Sequence, residues 1–464
     1  MMTNPDDIAL WFNGDSVSCQ QLEKKLGQLI QQLNPVLNQP VIAYVSDDAW
    51  LCYLLVHACS RIKKPLFLLN PELPEQRLQW LLRQSSCEFV ITGRKSLNLP
   101  DEISLLGVDT LFSMPHGNKK KPISKNDTAG IQLIVATSGS GNEPKAVMLS
   151  AAAISASANA VNRVLGFQAQ DCWLNCLPLY HIAGLSIINR CVNAGACMVL
   201  HLNFNAMKVW KDLHDHAITH ISLVPAMLSR LLDVSSDARP PATLHVALIG
   251  GASLSPSLAR RAHNAGWPIV ISYGMTETGS MCAYDASPDA GLIAGRVGQI
   301  LDGFEITLTS NHGNIVVAGS GMMLGYANPE MLAGVGLLDG RLTTGDVGRL
   351  DEQGVLYVSG RSDEVLVTGG LTIHPREIEV QLEAYDGVDY VAVTSLPDPV
   401  WGDSLVAVYA ACDIDAGDFE SWARKQLASA IRPRTFIKLA ELPVNRMGKL
   451  DRKKLREIIQ QQDI

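Results

Sequence analysis

No stretch of this 464-residue chain approaches the ~20 consecutive apolar residues that a helix needs to cross a bilayer. The apolar run at 51–58 is soon followed by Arg61, Lys63 and Lys64. The start, Met1-Met2-Thr3-Asn4-Pro5-Asp6-Asp7, is acidic and has neither the basic region nor the apolar core of a secretory leader. Of ten cysteines none forms a Cys-x-x-Cys pair, and the closest spacings, Cys172/Cys176 and Cys191/Cys197, lack metal-ligand patterning. These absences lead to the expectation of a cytoplasmic protein with reduced, mostly buried thiols. Positive charge is also short. The 38 Lys and Arg face 46 Asp and Glu, a net charge of −8, and such a surface repels a nucleic-acid backbone overall. A local basic pocket for a phosphate ligand is still compatible with that balance. No internal repeat or low-complexity segment appears.

What is present is an ordinary globular mixture, 47% apolar and 18% charged, long enough for two to four folding units. Short apolar runs at 41–45, 89–92, 132–136, 220–224 and 245–249 read as buried strands. Helix-like periodic stretches at 20–33, 75–84, 151–165, 226–232 and 255–265 alternate with them, which predicts an α/β fold with largely parallel sheets flanked by helices. From about Gly298 the texture changes. Gly-punctuated pieces at 305–309, 314–317, 349–351 and 355–358 predict a smaller, antiparallel β region. Beyond Gly360-Arg361-Ser362-Asp363 a helix at 375–383, strands at 390–394 and 405–411 and a helix at 418–428 predict a small α+β unit. The expected organisation is a large domain at 1–360, a hinge at 361–363 and a smaller mobile domain at 364–464, which suits an enzyme that closes over its ligand.

The most informative segment is the run at 132–136 opening into Thr137-Ser138-Gly139-Ser140-Gly141-Asn142-Glu143-Pro144-Lys145. Glycines let backbone N–H groups approach an anion, hydroxyls donate to it, and the lysine adds a point charge. The Gly-Lys-Ser/Thr ending of a P-loop is missing. Composition alone leaves two readings level, an anion cradle and a plain turn between strands.

This loop resembles the phosphate-binding signature of the adenylate-forming acyl-CoA ligase family, usually Thr-Ser-Gly-Ser/Thr-Thr-Gly-x-Pro-Lys. Five further pieces follow in the family's order: Tyr273-Gly274-Met275-Thr276-Glu277, Thr344-Gly345-Asp346, Gly360-Arg361-Ser362-Asp363, Pro375-Arg376-Glu377-Ile378-Glu379, and Pro443 with Gly448-Lys449 and Arg452. The resemblance implies ATP-dependent joining of a carboxylic acid to AMP, then transfer to coenzyme A. It assigns Thr137, Ser138, Gly139, Ser140 and Lys145 to the phosphates, and Gly250, Gly251, Ala252, Tyr273 and Gly274 to the adenine. It further assigns Asp346 and Arg361 to the ribose, Thr276 to the α-phosphate, Glu277 to Mg²⁺, and Lys449 to catalysis of adenylation. Asp363 becomes the pivot, and Gly369 and Gly370 line the channel of the CoA arm. The chain departs from the signature at Gly141 and Asn142, where the family has Thr and Gly. That removes a hydroxyl near the phosphates and leaves a non-catalytic nucleotide binder open.

The acid is less legible. Leu177-Pro178-Leu179-Tyr180-His181-Ile182-Ala183-Gly184-Leu185 matches a family segment that shapes the acyl pocket, with His181 near the carboxylate. Together with the compact length, His220-Ile221-Ser222-Leu223-Val224-Pro225 and Gly250-Gly251-Ala252, it looks most like the family members that act on o-succinylbenzoate in menaquinone biosynthesis. Ala226-Met227 stand where those members carry Thr-Gln, and Leu371 where they carry Glu, so another aryl or medium-chain acid is an alternative. A dicarboxylate needs a cation for its distal charge, for which Arg190 and Arg230 are candidates. A carrier protein in place of CoA is a further alternative, and a homodimer is left open.

Overall fold

The computed structural model describes residues 4–94, 97–113, 130–137, 144–286, 295–368, 371–398, 402–411, 414–429, 431–444 and 450–461. Among them, six strands run parallel in the larger of two main sheets. In spatial order these are Ile269–Met275, Val246–Ile249, His220–Leu223, Cys172–Asn175, Cys197–Leu200 and Ile8–Phe12. His220–Leu223 and Val246–Ile249 are buried at every position, because helices cover both faces of a parallel sheet and leave no polar side to alternate with. The helices Ala206–Asp215, Pro225–Ser235 and Pro256–Asn264 pack on one face around Leu213, Leu231 and Leu258.

The second sheet is built on Ile131–Thr137, Leu66–Leu69, Ile42–Val45, Phe89–Thr92 and Ser104–Gly107, all parallel. Lys145–Ser150 returns antiparallel along Ile131–Thr137, and Gly325–Tyr326 adds to its outer edge. Two helices, Ala151–Leu165 and Ile182–Ala194, lie between the sheets and touch the larger one, with Ala151–Leu165 also against the smaller. The first of these begins where its cap sits: Ser150 Oγ accepts from the Ala153 N–H at 3.0 Å.

The antiparallel region differs from the expectation in its start and its attachment. It opens at Ser280–Asp285, which folds back on Ile269–Met275, and continues without a break through Arg296–Ile300, Leu356–Arg361, Leu342–Leu350, Asn314–Gly319 and Phe304–Leu308. Arg296–Ile300 bonds to neighbours on both sides, so this region extends the large sheet and is not a separate one.

Beyond Arg361 come a short hairpin, Leu366–Thr368 with Leu371–Ile373, and three strands, Val388–Asp398, Gly402–Ala411 and Thr435–Leu439. Helices Pro375–Leu382, Ala416–Gln426 and Arg452–Gln460 cover them over cores of their own. The observed architecture is thus the expected one, a large α/β sheet body followed by a small α+β body. The two meet through Arg260–Asp386 at 3.1 Å and Arg230–Glu441 at 3.7 Å, and through Pro375–Leu382 against Leu356–Arg361.

Charge is buried inside the small body. Arg376 makes a two-pronged contact with Glu383 at 2.8 Å on each arm, and Arg452 bridges Glu379 and Glu364 at 3.0 Å each. Burial pushes the Arg376 pKa down, but the facing carboxylates outweigh it and the net shift is upward. The sequence pieces around Arg376, Glu379 and Arg452 therefore act here as internal fastenings.

Candidate active site

The carboxyl ends of parallel strands form the rim where ligands settle in open α/β sheets. Three site segments emerge there. Gly250-Gly251-Ala252 follows strand Val246–Ile249, Tyr273 and Gly274 end the neighbouring parallel strand, and His181 lies beyond Cys172–Asn175 on the same sheet. Gly274 is dictated by contact, since a Cβ on it would stand 1.9 Å from the Ser280 carbonyl oxygen. At Gly250 a Cβ would stand 2.4 Å from Ser272 Oγ, a hydroxyl already donating to the Ile249 carbonyl at 3.0 Å.

One cluster forms around Asp346. Strand register makes Asp346 and Arg361 cross-strand partners, and Arg361 Nη1 donates to Asp346 Oδ1 at 3.3 Å. The Tyr273 hydroxyl donates to Asp346 Oδ2 at 2.7 Å. Burial, then the adjacent Asp346 charge, raises the Tyr273 pKa well above its ordinary value, so the phenol stays protonated and keeps donating. Arg361 also grips Asp363 with Nε at 2.8 Å and Nη2 at 2.9 Å. These bonds to Asp363, outweighing burial, raise its pKa, with help from Asp346. Asn314 Nδ2 reaches the Thr344 carbonyl at 3.3 Å and Ser362 Oγ at 3.2 Å, which ties both strands together behind the cluster.

A second cluster forms around Glu277, in the tight turn Thr276–Thr278 that joins Ile269–Met275 to Ser280–Asp285. Thr278 Oγ1 locks this turn, accepting from the Met275 N–H at 3.0 Å. The Tyr326 hydroxyl donates to Glu277 Oε1 at 2.8 Å, and Lys145 Nζ stands 4.6 Å from the centre of the Tyr326 ring. Lys145 is the register partner of Thr137 in the antiparallel pair of Ile131–Thr137 with Lys145–Ser150, and Thr137 Oγ1 lies 3.4 Å from the Lys145 carbonyl. The Thr276 carbonyl accepts from the Gly279 N–H at 3.1 Å.

The fold therefore gathers Tyr273, Asp346 and Arg361 in one group and Lys145 and Glu277 in another, joined by the segment from Tyr273 to Glu277. His181 sits at the start of Ile182–Ala194 with its ring 4.8 Å from that of Tyr180. Ser138, Gly139, Ser140, Gly369, Gly370 and Lys449 lie outside the described residues. Tyr326 and Asn314 were not among the expected site residues. Both act across 30 or more positions of sequence, and no local pattern marks either.

A cavity of about 660 Å³ opens beside the His181 segment, walled by Leu177, Leu179, Phe204, Ala226 and Met227, with Asp47 and Asp48 also on its lining. Arg230 is its one basic side chain among the described residues. Arg190, the other candidate for a distal carboxylate, is deep in the core. It donates to Ser280 Oγ at 2.7 Å and lies over Trp173, and burial pushes its pKa down to about 10.

A family model described as AMP-binding enzyme matches residues 1–327, and one described as AMP-binding enzyme C-terminal domain matches 377–449. The chain belongs to the AMP-binding enzyme family. Among AMP-binding enzymes it is similar to a 2-succinylbenzoate–CoA ligase of Enterococcus faecalis, at 30% identity over 96% of this chain and 94% of the relative. It is also similar to the o-succinylbenzoate CoA synthetase of Bacillus subtilis, solved with its acyl-adenylate intermediate OSB-AMP, at 29% identity and a TM-score of 0.84, covering 98% of this chain and 96% of that one. The same B. subtilis enzyme solved with ATP and magnesium ion gives 0.84 at 29% identity, covering 98% and 97%. The two separate AMP-binding models fall on the large and the small body. Among the described residues no helix is long and apolar enough to cross a membrane.

Proposed function

We propose that this chain is an AMP-forming acid–CoA ligase acting on 2-succinylbenzoate, as in menaquinone biosynthesis. The observation that carries the reading is the Asp346 carboxylate. It is already held by Tyr273 and Arg361 at the sheet rim and keeps acceptor capacity for a diol such as the ribose. Similarity to ligases solved with ATP and magnesium and with an acyl-adenylate supports it.

The residues also fit magnesium. Among the described residues Glu277 commits only Oε1, to Tyr326, and Oε2 would be the oxygen offered to a hard cation. Among the described residues no group of three or more metal-binding side chains forms a cage, in keeping with an ion held mainly by phosphates plus one carboxylate. When bound, magnesium would screen the phosphate charge. In the first half-reaction the substrate carboxylate attacks the α-phosphate and pyrophosphate leaves. Two anions about 4 Å apart repel by ~4 kcal/mol at an effective dielectric near 20, so fixed cations must face the developing charge. Lys145 supplies one from the hairpin, and Lys449 is the proposed second, carried by the small body as it turns about 361–363. In the second half-reaction the CoA thiol attacks the acyl carbonyl and AMP leaves. The nine described cysteines are free thiols, which suits the cytoplasmic setting the reading requires.

For the acid, the apolar wall of Leu177, Leu179 and Met227 suits an aryl ring, and Arg230, whose only ion-pair contact among the described residues is Glu441 at 3.7 Å, suits the distal carboxylate. Ala226 and Met227 on the same wall favour a second reading, a less polar aryl acid. Pyrophosphate release with a panel of acids, followed by thioester detection, separates the two. Thioester formation from 2-succinylbenzoate ahead of benzoate and medium-chain acids is the expected result, and Lys449→Ala should abolish adenylation while sparing thioester formation from pre-made acyl-adenylate. Release without thioester points to a carrier-protein acceptor, and ATP binding without release to a non-catalytic relative. Either outcome overturns the reading.

A further inference from the structure

Tyr326 lies in none of the motifs above, yet among the described residues it is the one that touches both charged groups, Glu277 and Lys145. Its hydroxyl donates to Glu277 Oε1 at 2.8 Å, and its ring carries the Lys145 ammonium at 4.6 Å. It is itself tightly held. Its backbone pairs with Val147 in the strand that begins at Lys145, and its N–H donates to the Val335 carbonyl at 2.8 Å. Its ring lies so close to Gly336 that a Cβ there would stand 2.3 Å from Tyr326 Cδ2. Glu277 is fixed from behind as well, its carbonyl accepting from the Met323 N–H at 2.8 Å.

Lys145 and Glu277 carry opposite charges at one site, and no ion pair joins them among the described residues. A lysine that closed directly onto Glu277 would neutralise both groups and leave neither for a nucleotide. An aromatic face offers the ammonium a seat that costs no anion, and a phenol fixes one carboxylate oxygen while the other stays open.

We propose that Tyr326 is a positioning residue, a spacer that keeps Lys145 and Glu277 apart and aims one at the phosphates and the other at the metal. The proposal rests on the reading of Glu277 as the magnesium ligand.

The test measures binding and not turnover. Manganese, as a spectroscopic substitute for magnesium, is titrated into protein saturated with ATP, and ATP is separately titrated into metal-free protein. Tyr326→Phe removes only the hydroxyl. It should weaken manganese binding roughly tenfold, the size of one hydrogen bond to a charged group, and leave metal-free ATP binding within about twofold. Tyr326→Leu also removes the ring and should weaken metal-free ATP binding roughly threefold, the scale of a half-exposed cation–π contact. Equal effects of the two variants on both titrations, or none from Tyr326→Phe on manganese, would overturn the proposal. Glu277→Gln is the control for the underlying reading. If it leaves manganese binding intact the metal assignment falls, whereas a Glu277 effect without a Tyr326→Phe effect removes only the spacer role.

Discussion

Asp346→Asn is the substitution that tests the nucleotide site most directly. A carboxylate offers about four lone-pair positions, and Tyr273 at 2.7 Å and Arg361 at 3.3 Å occupy two. That leaves two, one for each ribose hydroxyl. The Asp346 side chain is 15% exposed, so water screens these bonds little, and a hydrogen bond to a charged acceptor there is worth about 2 kcal/mol. Asparagine keeps an oxygen for the Tyr273 hydroxyl, so the fold should survive, but its NH₂ cannot accept from the sugar. Calorimetric titration should show ATP binding weakened roughly thirtyfold, the equivalent of about 2 kcal/mol. The decisive comparison is with deoxy-ATP. The unaltered protein should bind 2′- or 3′-deoxy-ATP at least roughly tenfold more weakly than ATP, since its acceptor is then left unpaired. In the variant the preference for ATP over at least one of the two should shrink to about threefold or less. A variant that keeps the original preference against both would refute ribose recognition by Asp346.

Arg230→Ala should raise the KM for 2-succinylbenzoate roughly fivefold, the scale of a part-exposed ion pair, and leave the KM for a monocarboxylic aryl acid unchanged; equal changes would remove Arg230 from the acyl site. Gly274→Ala should lower stability by about 1–3 kcal/mol or more, read as a fall in thermal midpoint, because the new methyl meets backbone rather than a movable side chain. Arg376→Met leaves Glu383 buried without its cation and should cost about 3–5 kcal/mol in urea unfolding; a cost below ~1 kcal/mol would contradict the fastening role. His57 has its Nε2 sealed with no hydrogen-bond partner among the described residues and its ring against Tyr53, and burial pushes its pKa from 6.5 down to about 4. The unfolded chain then takes up a proton that the folded one refuses. Stability should be complete above pH 6.5 and fall by about 3 kcal/mol on acidification to pH 4, and His57→Phe should flatten that limb of the curve.

Much of the fold can be read from local pattern, and where it cannot the reason is physical. The periodicity at 75–84 and 151–165 coincides with helices Glu75–Gln84 and Ala151–Leu165, because each has one buried and one wet face. Helix Ala49–Arg61 carries no helical period in its sequence, since nine of its 13 positions are buried and no period survives burial all round. The antiparallel region was legible as strands but not as part of the large sheet, because attachment depends on the Ala283–Ile300 pairing, which no single segment encodes. The same division holds for the site. Asp346 and Arg361 announce themselves through short motifs, while Tyr326 meets Glu277 only through a sheet edge 49 residues downstream.

The pairing of Asp346 with Arg361 across neighbouring strands has an arithmetic side. The register between the pair and the turn already accommodates one bulge, where Val347–Gly360 gives way to Gly348–Val358 and Ser359 is left over, so adding or deleting a further amino acid at 347–350 or 356–360 would turn one partner to the opposite surface and undo the pair. The tip at 352–354 carries no such parity, and only local bonds, such as those from the Gln353 and Val355 N–H groups to the Asp351 carboxylate at 2.9 Å each, resist its lengthening. Insertions in descendants of this gene should therefore collect at that tip and be purged from its two flanks.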